Sequence, residues 1–337
     1  MIYGKKFTVI IHVYWGLDYF KIALKSVQKQ TYENIEIIIV NNGANKTITD
    51  YILKKQNEDN RIKIVHFKNN VFDWDDPEIM TQVCLNEALN QSTGEYVFFI
   101  SYDDLISENY VFEMVKLFEN NKNCITAAGI PVSIDNNGKI NELELNDRRS
   151  NLRDEYMNGK DLVLEVLKGN KSLFASPGTI FSIRRKEFLN SGGFNRALEK
   201  SQFYGIVPFG VTGFSETAIL YWRRHPNQVN LQVTKRGITG AKDLFNFLGE
   251  YKIYKRWSIF GNNVAKYVIN KIIADECKHS ANLTVINLYD FNIKAVIRTI
   301  KDVGFKLNYY KYIVYYIFYY KKKLIFTFIN ILKKLSR

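Results

Sequence analysis

Four short apolar runs in the first hundred residues constrain the fold more than any other feature of the chain. They are Phe7-Thr8-Val9-Ile10-Ile11-His12-Val13, Ile35-Glu36-Ile37-Ile38-Ile39-Val40, Ile62-Lys63-Ile64-Val65-His66-Phe67 and Tyr96-Val97-Phe98-Phe99-Ile100. Each is rich in β-branched or aromatic residues, and the nearly continuous ones read as strands buried on both faces. Between the first two, Leu17, Phe20, Leu24 and Val27 recur at helical spacing over residues 17–30. Helices are expected again over 47–57 and 78–90, with Thr93-Gly94 ending the second. Strands alternating with helices imply βαβ units and a mainly parallel sheet covered on both sides, an α/β fold. In such sheets ligands sit beyond the carboxyl ends of the strands. Two polar clusters stand at such ends: Asn41-Asn42-Gly43, which is turn chemistry, and Tyr102-Asp103-Asp104.

The pattern changes after about residue 125. Further strands are expected at 130–134, 178–183 and 218–222, and a helix over 162–167; from about Gly240 the chain reads as mostly helix. The expected organisation is a sheet domain over 1–235 and a helical region over 236–337. At 337 residues the chain is long enough for a sizeable core. The usual nucleotide and hydrolase signatures are missing: no G-x-G-x-x-G after the first strand, no G-x-x-x-x-G-K-[ST], no H-E-x-x-H and no G-x-S-x-G. That argues against a dinucleotide oxidoreductase, a P-loop NTPase and an α/β-hydrolase. Cys84, Cys124 and Cys277 are widely spaced and form neither a zinc pair nor a disulfide framework. Cys84 reads as packing, and Asp73, Asp75 and Asp76 around Trp74 as a solvated loop. Asp103-Asp104 is the sharpest chemical feature. Carboxylates at a strand end can hold a hard divalent cation that neutralises a diphosphate. They can equally cap a helix that starts at Leu105.

The stretch Asn86-x-Ala88-x5-Gly94-Glu95-Tyr96-Val97-Phe98-Phe99-Ile100-Ser101-Tyr102-Asp103-Asp104 resembles the nucleotide-sugar core of family 2 glycosyltransferases, which have the GT-A fold. So does Thr8-Val9-Ile10-Ile11 followed by Ser26-Val27-x2-Gln30-Thr31-Tyr32-x-Asn34 and the second apolar run through Gly43. Gly192-Gly193-Phe194 and Tyr221-Trp222-Arg223-Arg224-His225-Pro226 resemble later landmarks of that family. The resemblance covers roughly residues 6–230. It implies inverting transfer of a sugar from a nucleoside-diphosphate donor, UDP-linked or related, to an acceptor hydroxyl. It implies that Val13, Tyr14, Asn41, Asn42, Asn86, Ser101, Tyr102 and Asp103 surround the donor. It further implies that Asp103 and His225 hold Mn²⁺ or Mg²⁺, a task suited to carboxylate and neutral imidazole. Inversion needs a base on the face opposite the leaving group. Counting back from Glu216 puts Glu199 in that role, with Asp104 as the alternative; the other reading of Glu199 is a solvated glutamate paired with Lys200 or Arg196. Tyr14 and Trp15 either stack on the nucleobase or line a solvent lip. Two departures stand out. Asn41-Asn42-Gly43-Ala44 replaces the family's Asp-Asp-Gly-Ser, and Ser101 replaces the first acid of the metal motif, so a binding or scaffold protein with lost chemistry is the rival reading.

The formal net charge is +13, yet nine basic residues and one acid fall within 301–337. A nucleic-acid binder would carry its charge across a face of the fold, so none is expected. The tail crowds Tyr309, Tyr310, Tyr312, Tyr315, Tyr316, Tyr319 and Tyr320 ahead of Lys321-Lys322-Lys323, and a second apolar run, 324–332, precedes Lys333-Lys334. The apolar runs 312–320 and 324–332 would each make ~14 Å of helix, short of a bilayer core of ~30 Å. Tyrosine at headgroup level and lysine over anionic lipid suit a helix lying on a membrane surface; the alternative is a basic helix docked on the chain's own catalytic domain, with its aromatics in the core. No apolar signal-peptide segment follows the first lysines. The expectation is therefore a cytoplasmic enzyme, peripheral at the inner face of the membrane, acting on a glycan or lipid-linked acceptor in bacterial capsule or lipopolysaccharide synthesis.

Overall fold

The structure, a computed structural model, describes residues 4–151, 155–169 and 181–335. Contacts divide the chain into Met1–His225 and Pro226–Arg337. In the first unit, β1 (Phe7–Val13), β2 (Ile35–Asn42), β3 (Ile62–Phe67) and β4 (Tyr96–Ser101) are the four apolar runs, and they pair in parallel in the order β3-β2-β1-β4. Every residue of β2 is buried, as a strand covered on both faces must be. The helices between them run Leu17–Gln28 and Lys46–Glu58, and Asn45 caps the second by accepting the Ile48 N–H.

The helix expected over 78–90 is interrupted. A short α segment, Glu78–Met80, is followed by a π turn, Thr81–Leu85, and then by Asn86–Gln91. The wider turn buries Cys84 and Leu85, and the Cys84 thiol reaches Asn42 Oδ1 at 3.6 Å.

After β4 the sheet becomes mixed. It continues through β5 (Leu105–Ile106), β6 (Cys124–Ile134), β7 (Tyr156–Asn158), β8 (Phe181–Arg184) and β9 (Val211–Arg223). β8 lies antiparallel between β4 and β6, β9 pairs in parallel with β6, and β5 and β7 pair antiparallel with β9. The strand expected at 178–183 is described from Phe181; its first three residues lie outside the described residues. The strands expected at 130–134 and 218–222 are the ends of two longer ones, β6 and β9.

β9 does not run straight. Its register against β6 slips between Ala128 and Ile130, so that Ala128 faces Phe214 while Ile130 faces Ile219. A bulge of this kind bends the strand and re-aims the residues beyond it. The redirected half pairs Tyr221 with Leu105 and Leu220 with Ile106. This corrects one of the two readings of the acidic doublet. Leu105 does not begin a helix, because its backbone is taken by the β9 ladder, and the next helix starts at Tyr110.

The second unit is helical, with Val229–Lys235, Ala241–Glu250, Ile253–Trp257, Asn262–Tyr289, Ile293–Val303 and Leu307–Leu335. The two tail runs form one continuous helix of 29 residues rather than two pieces. Its Tyr309 is fully buried with Ala241, Cys277, Ala281 and Val303, and its hydroxyl meets Thr284 Oγ1 at 2.7 Å. Tyr320 donates to Asn282 Oδ1 at 2.7 Å. One face of the tail is thus docked on the helix Asn262–Tyr289, while Val314, Tyr315, Phe318 and Tyr319 stay exposed. Among the described residues no helix is long and apolar enough to cross a membrane.

Candidate active site

The register of the parallel strands brings the polar clusters to one edge. Val13 stands opposite Asn41, and His12 opposite Ser101. The bend in β9 delivers Arg223 and His225 to the same edge, beside the doublet. His225 Nε2 lies 2.9 Å from Asp103 Oδ2, and both side chains are buried. The other ring nitrogen of His225 has no hydrogen-bond partner among the described residues. The Tyr19 ring packs on the imidazole at 4.9 Å between centroids.

Asp104 is held differently from its neighbour. Its Oδ1 accepts the Arg223 backbone N–H at 3.0 Å. Burial first, and then the Asp103 carboxylate, keep its carboxyl well above the usual carboxylate range, with the Arg223 N–H opposing. Burial, with Asp103 next in weight, likewise raises the Tyr102 phenol. The Tyr102 ring lies 6.1 Å from that of Trp15, and Tyr14 and Trp15 are both part-exposed at the lip. Gly16 comes next at φ 74°, where a Cβ would lie within 2.5 Å of the Tyr102 ring, so only glycine fits this turn.

The two asparagines closing β2 are buried, and their amides hold loops. Asn41 Oδ1 accepts from the Ala44 N–H at 2.9 Å, and its Nδ2 donates to Thr49 Oγ1 at 3.1 Å. Asn42 Oδ1 accepts from the Val71 N–H at 2.9 Å, and its Nδ2 donates to Asn70 Oδ1 at 2.8 Å. Asn86 acts as a clamp: it accepts the Phe194 N–H at 2.8 Å and donates to the Phe194 carbonyl at 2.7 Å, fixing the Gly192-Gly193-Phe194 turn. The Asp73–Asp76 loop is also tied down, because Asp76 forms a two-point ion pair with Arg196. Ser101 ends β4, and its carbonyl closes the turn to the Asp104 N–H at 3.3 Å. Glu199 occupies the first turn of the helix Leu198–Gly205 and is partly exposed.

A family model described as Glycosyl transferase family 2 matches residues 8–188, more than half of the chain. The chain belongs to glycosyltransferase family 2. Membership places it among transferase enzymes, as the sequence resemblance implied. An uncharacterized glycosyltransferase of Rickettsia conorii is 26% identical over 333 residues, covering 88% of this chain and 50% of that protein. Glycosyltransferase GlyA of Streptococcus pneumoniae is 32% identical over 116 residues, covering 34% of this chain and 15% of that protein. The chain thus spans half or less of the length of these relatives. Among solved structures, residues 1–349 of S. aureus TarS in complex with UDP-GlcNAc match at a TM-score of 0.51 and 13% identity, covering 88% of this chain and 90% of that one. The mannosyltransferase PcManGT from Pyrobaculum calidifontis, in complex with GDP-Man and Mn²⁺, matches at 0.50 and 12% identity, covering 92% and 83%. These likenesses show the GT-A fold.

Sequence reasoning marked Asp103, Asp104 and His225, and the structure brings them together. It gave no role to Tyr19, and it treated Arg223 only as a landmark. The signal for Arg223 was its position two residues before His225; nothing local in the chain marked Tyr19.

Proposed function

We propose that this family 2 glycosyltransferase moves a sugar, with inversion, from a nucleoside-diphosphate donor to a hydroxyl of a glycan acceptor. The observation that carries the reading is the Asp103–His225 pair at the carboxyl edge of the sheet, 2.9 Å apart. The two side chains meet in a direct hydrogen bond, and a carboxylate and a neutral imidazole so placed would hold a divalent cation such as Mg²⁺ or Mn²⁺. Among the described residues no third acid, histidine or cysteine completes a metal cluster. Asp103 and His225 would be the protein's own contribution to holding the cation, with the rest left to the donor and solvent. When bound, such a cation neutralises the charge that develops on the departing diphosphate.

The chain's own groups do the rest. Tyr14 and Trp15 offer ring faces at the lip for a nucleobase. Val13, Asn41, Asn42, Ser101 and Tyr102 shape the donor edge, the asparagines by fixing the loops at 44 and 70–71. Asn86 acts at one remove, through the turn it clamps. Glu199 is the proposed base for the acceptor hydroxyl, and Asp104 the alternative. A carboxyl held above its usual range is a better proton acceptor than an ordinary one at neutral pH. The donor is read as UDP-linked or related. The acceptor is read as lipid-linked, in bacterial surface polysaccharide synthesis, with the basic, aromatic tail on the inner face of the membrane. Confinement to that surface would raise the effective concentration of such an acceptor.

The test is a panel of nucleotide sugars incubated with the protein, with and without Mn²⁺, with release of free nucleotide as the readout. Cation-dependent release from one donor is expected. Binding without turnover of any donor would favour a scaffold that has lost its chemistry, and neither binding nor turnover would end the transferase reading.

A further inference from the structure

We infer that Arg223, braced by Tyr19, is a positioning residue that sets the separation of Asp103 and His225; the inference rests on the proposed transfer reaction. Arg223 ends β9 and is 2% exposed. Its Nε donates to the Asp103 carbonyl at 3.0 Å. Its Nη1 donates to the Asp135 carbonyl at 3.2 Å and the Asn136 carbonyl at 3.0 Å. Its backbone N–H holds Asp104 Oδ1. One residue therefore ties the loop after β4 to the loop after β6, and His225 lies two positions further along.

The other face of the guanidinium lies 5.2 Å from the centre of the Tyr19 ring. That same ring packs on His225, and its hydroxyl donates to Asn136 Oδ1. Asp103 is thus fixed through its backbone, and His225 through the face of its ring. Both restraints converge on Arg223.

The chemistry favours positioning over direct contact with a phosphate. A guanidinium that clamps a diphosphate needs open donors facing the ligand. This one is buried and directed at three backbone carbonyls. A planar fork can satisfy such a set from one fixed position, whereas lysine presents a point charge on a flexible stem. Groups that orient metal ligands in this way typically change metal affinity 10–100-fold when lost.

Two variants test the inference. Arg223→Lys keeps the charge and removes the fork. Tyr19→Leu removes the shared ring without touching a strand, and it carries the test if the buried arginine variant does not fold. Mn²⁺ uptake is read by electron paramagnetic resonance in the presence of UDP, and UDP affinity is read separately without metal. Arg223→Lys should weaken Mn²⁺ binding 10–100-fold, and Tyr19→Leu should weaken it less but in the same sense. UDP affinity without metal should stay within about two-fold, since a positioning role puts neither side chain on the donor. In metal-free protein, the ring ¹⁵N resonances of His225 should shift in both variants. Wild-type Mn²⁺ affinity in a folded variant would overturn the inference, as would an equal loss of UDP affinity without metal, which marks a phosphate clamp. If the wild-type protein itself takes up no Mn²⁺ with UDP, the cation-dependent transfer reading fails. The His225 resonances then decide the role of Arg223 alone.

Discussion

Asp103 and His225 stand 122 positions apart in the chain, yet their side chains meet. Neighbouring Asp104 has the same chemistry and different partners, and whether its task differs can be measured. Asp103→Asn keeps the size of the side chain and leaves an amide to meet His225, but removes the charge that a cation needs. Turnover should fall at least ~100-fold, the scale of losing a preorganised charge at a reacting centre. Circular dichroism should be unchanged, and excess Mn²⁺ should not restore the rate. Asp104→Asn retains an amide oxygen that can still accept the Arg223 N–H. If Asp104 is a local brace, its loss should cost ~10-fold or less; a loss as large as that of Asp103 would instead make Asp104 the base, displacing Glu199. Steady-state release of nucleotide from the preferred donor distinguishes these outcomes.

At the scale of elements, Glu36 joins the parallel strands far from the site. It is 3% exposed in β2 and accepts from Thr8 of β1 at 2.6 Å, from Lys63 of β3 at 2.6 Å, and from the N–H and hydroxyl of Thr93 ahead of β4. Burial alone would raise its pKa, but these bonds, led by Lys63, bring it from 4.5 down to about 2. The unfolded chain therefore binds this proton at a higher pH than the folded one does. The contribution to stability is complete above about pH 4.5 and is lost as pH falls through about 2. Its size is on the order of 3 kcal/mol. Glu36→Gln should melt lower at pH 7, and its deficit against wild type should shrink by pH 3; thermal melts at the two pH values decide it, and a deficit that does not change with pH would refute the assignment. The Glu36 run was legible as a strand because its pattern is local. The same holds for β1, β3, β4 and the polar residues that end them. β5, the bulge in β9 and the Arg223 network were not legible, because each depends on pairing between segments about a hundred residues apart, and no local periodicity reports register. The π turn at 81–85 escaped for a related reason: its Cys84 meets Asn42 at the end of β2, a contact between distant segments that the spacing of apolar residues does not report.

For the molecule as a whole, the open question is where the uneven charge acts. The tail is one helix, and it divides its aromatics by face. Tyr309, Tyr312, Ile313 and Tyr316 pack into the core of the helical unit, whereas Val314, Tyr315, Phe318 and Tyr319 are exposed. A tail docked on its own helical unit thus keeps an exposed face that would be available to lipid. Three consecutive lysines at 321–323 come directly after the exposed aromatics. Aromatic rings at headgroup depth beside lysines would bind anionic lipid, with about 1 kcal/mol from each lysine near the surface. Tyr315→Asp combined with Phe318→Asp removes the outward contacts and leaves the buried ones in place, so it separates lipid binding from folding. In vesicle flotation, the wild-type chain should bind phosphatidylserine vesicles and not neutral ones. That binding should weaken more than ~10-fold between 50 and 500 mM salt, because a Debye length near 10 Å at 0.1 M shortens as salt rises. The double variant should lose flotation while its melting temperature stays near wild type. Binding to neutral vesicles of equal strength, or flotation indifferent to both salt and the double variant, would rule out the anionic membrane surface and leave the exposed aromatics to another partner.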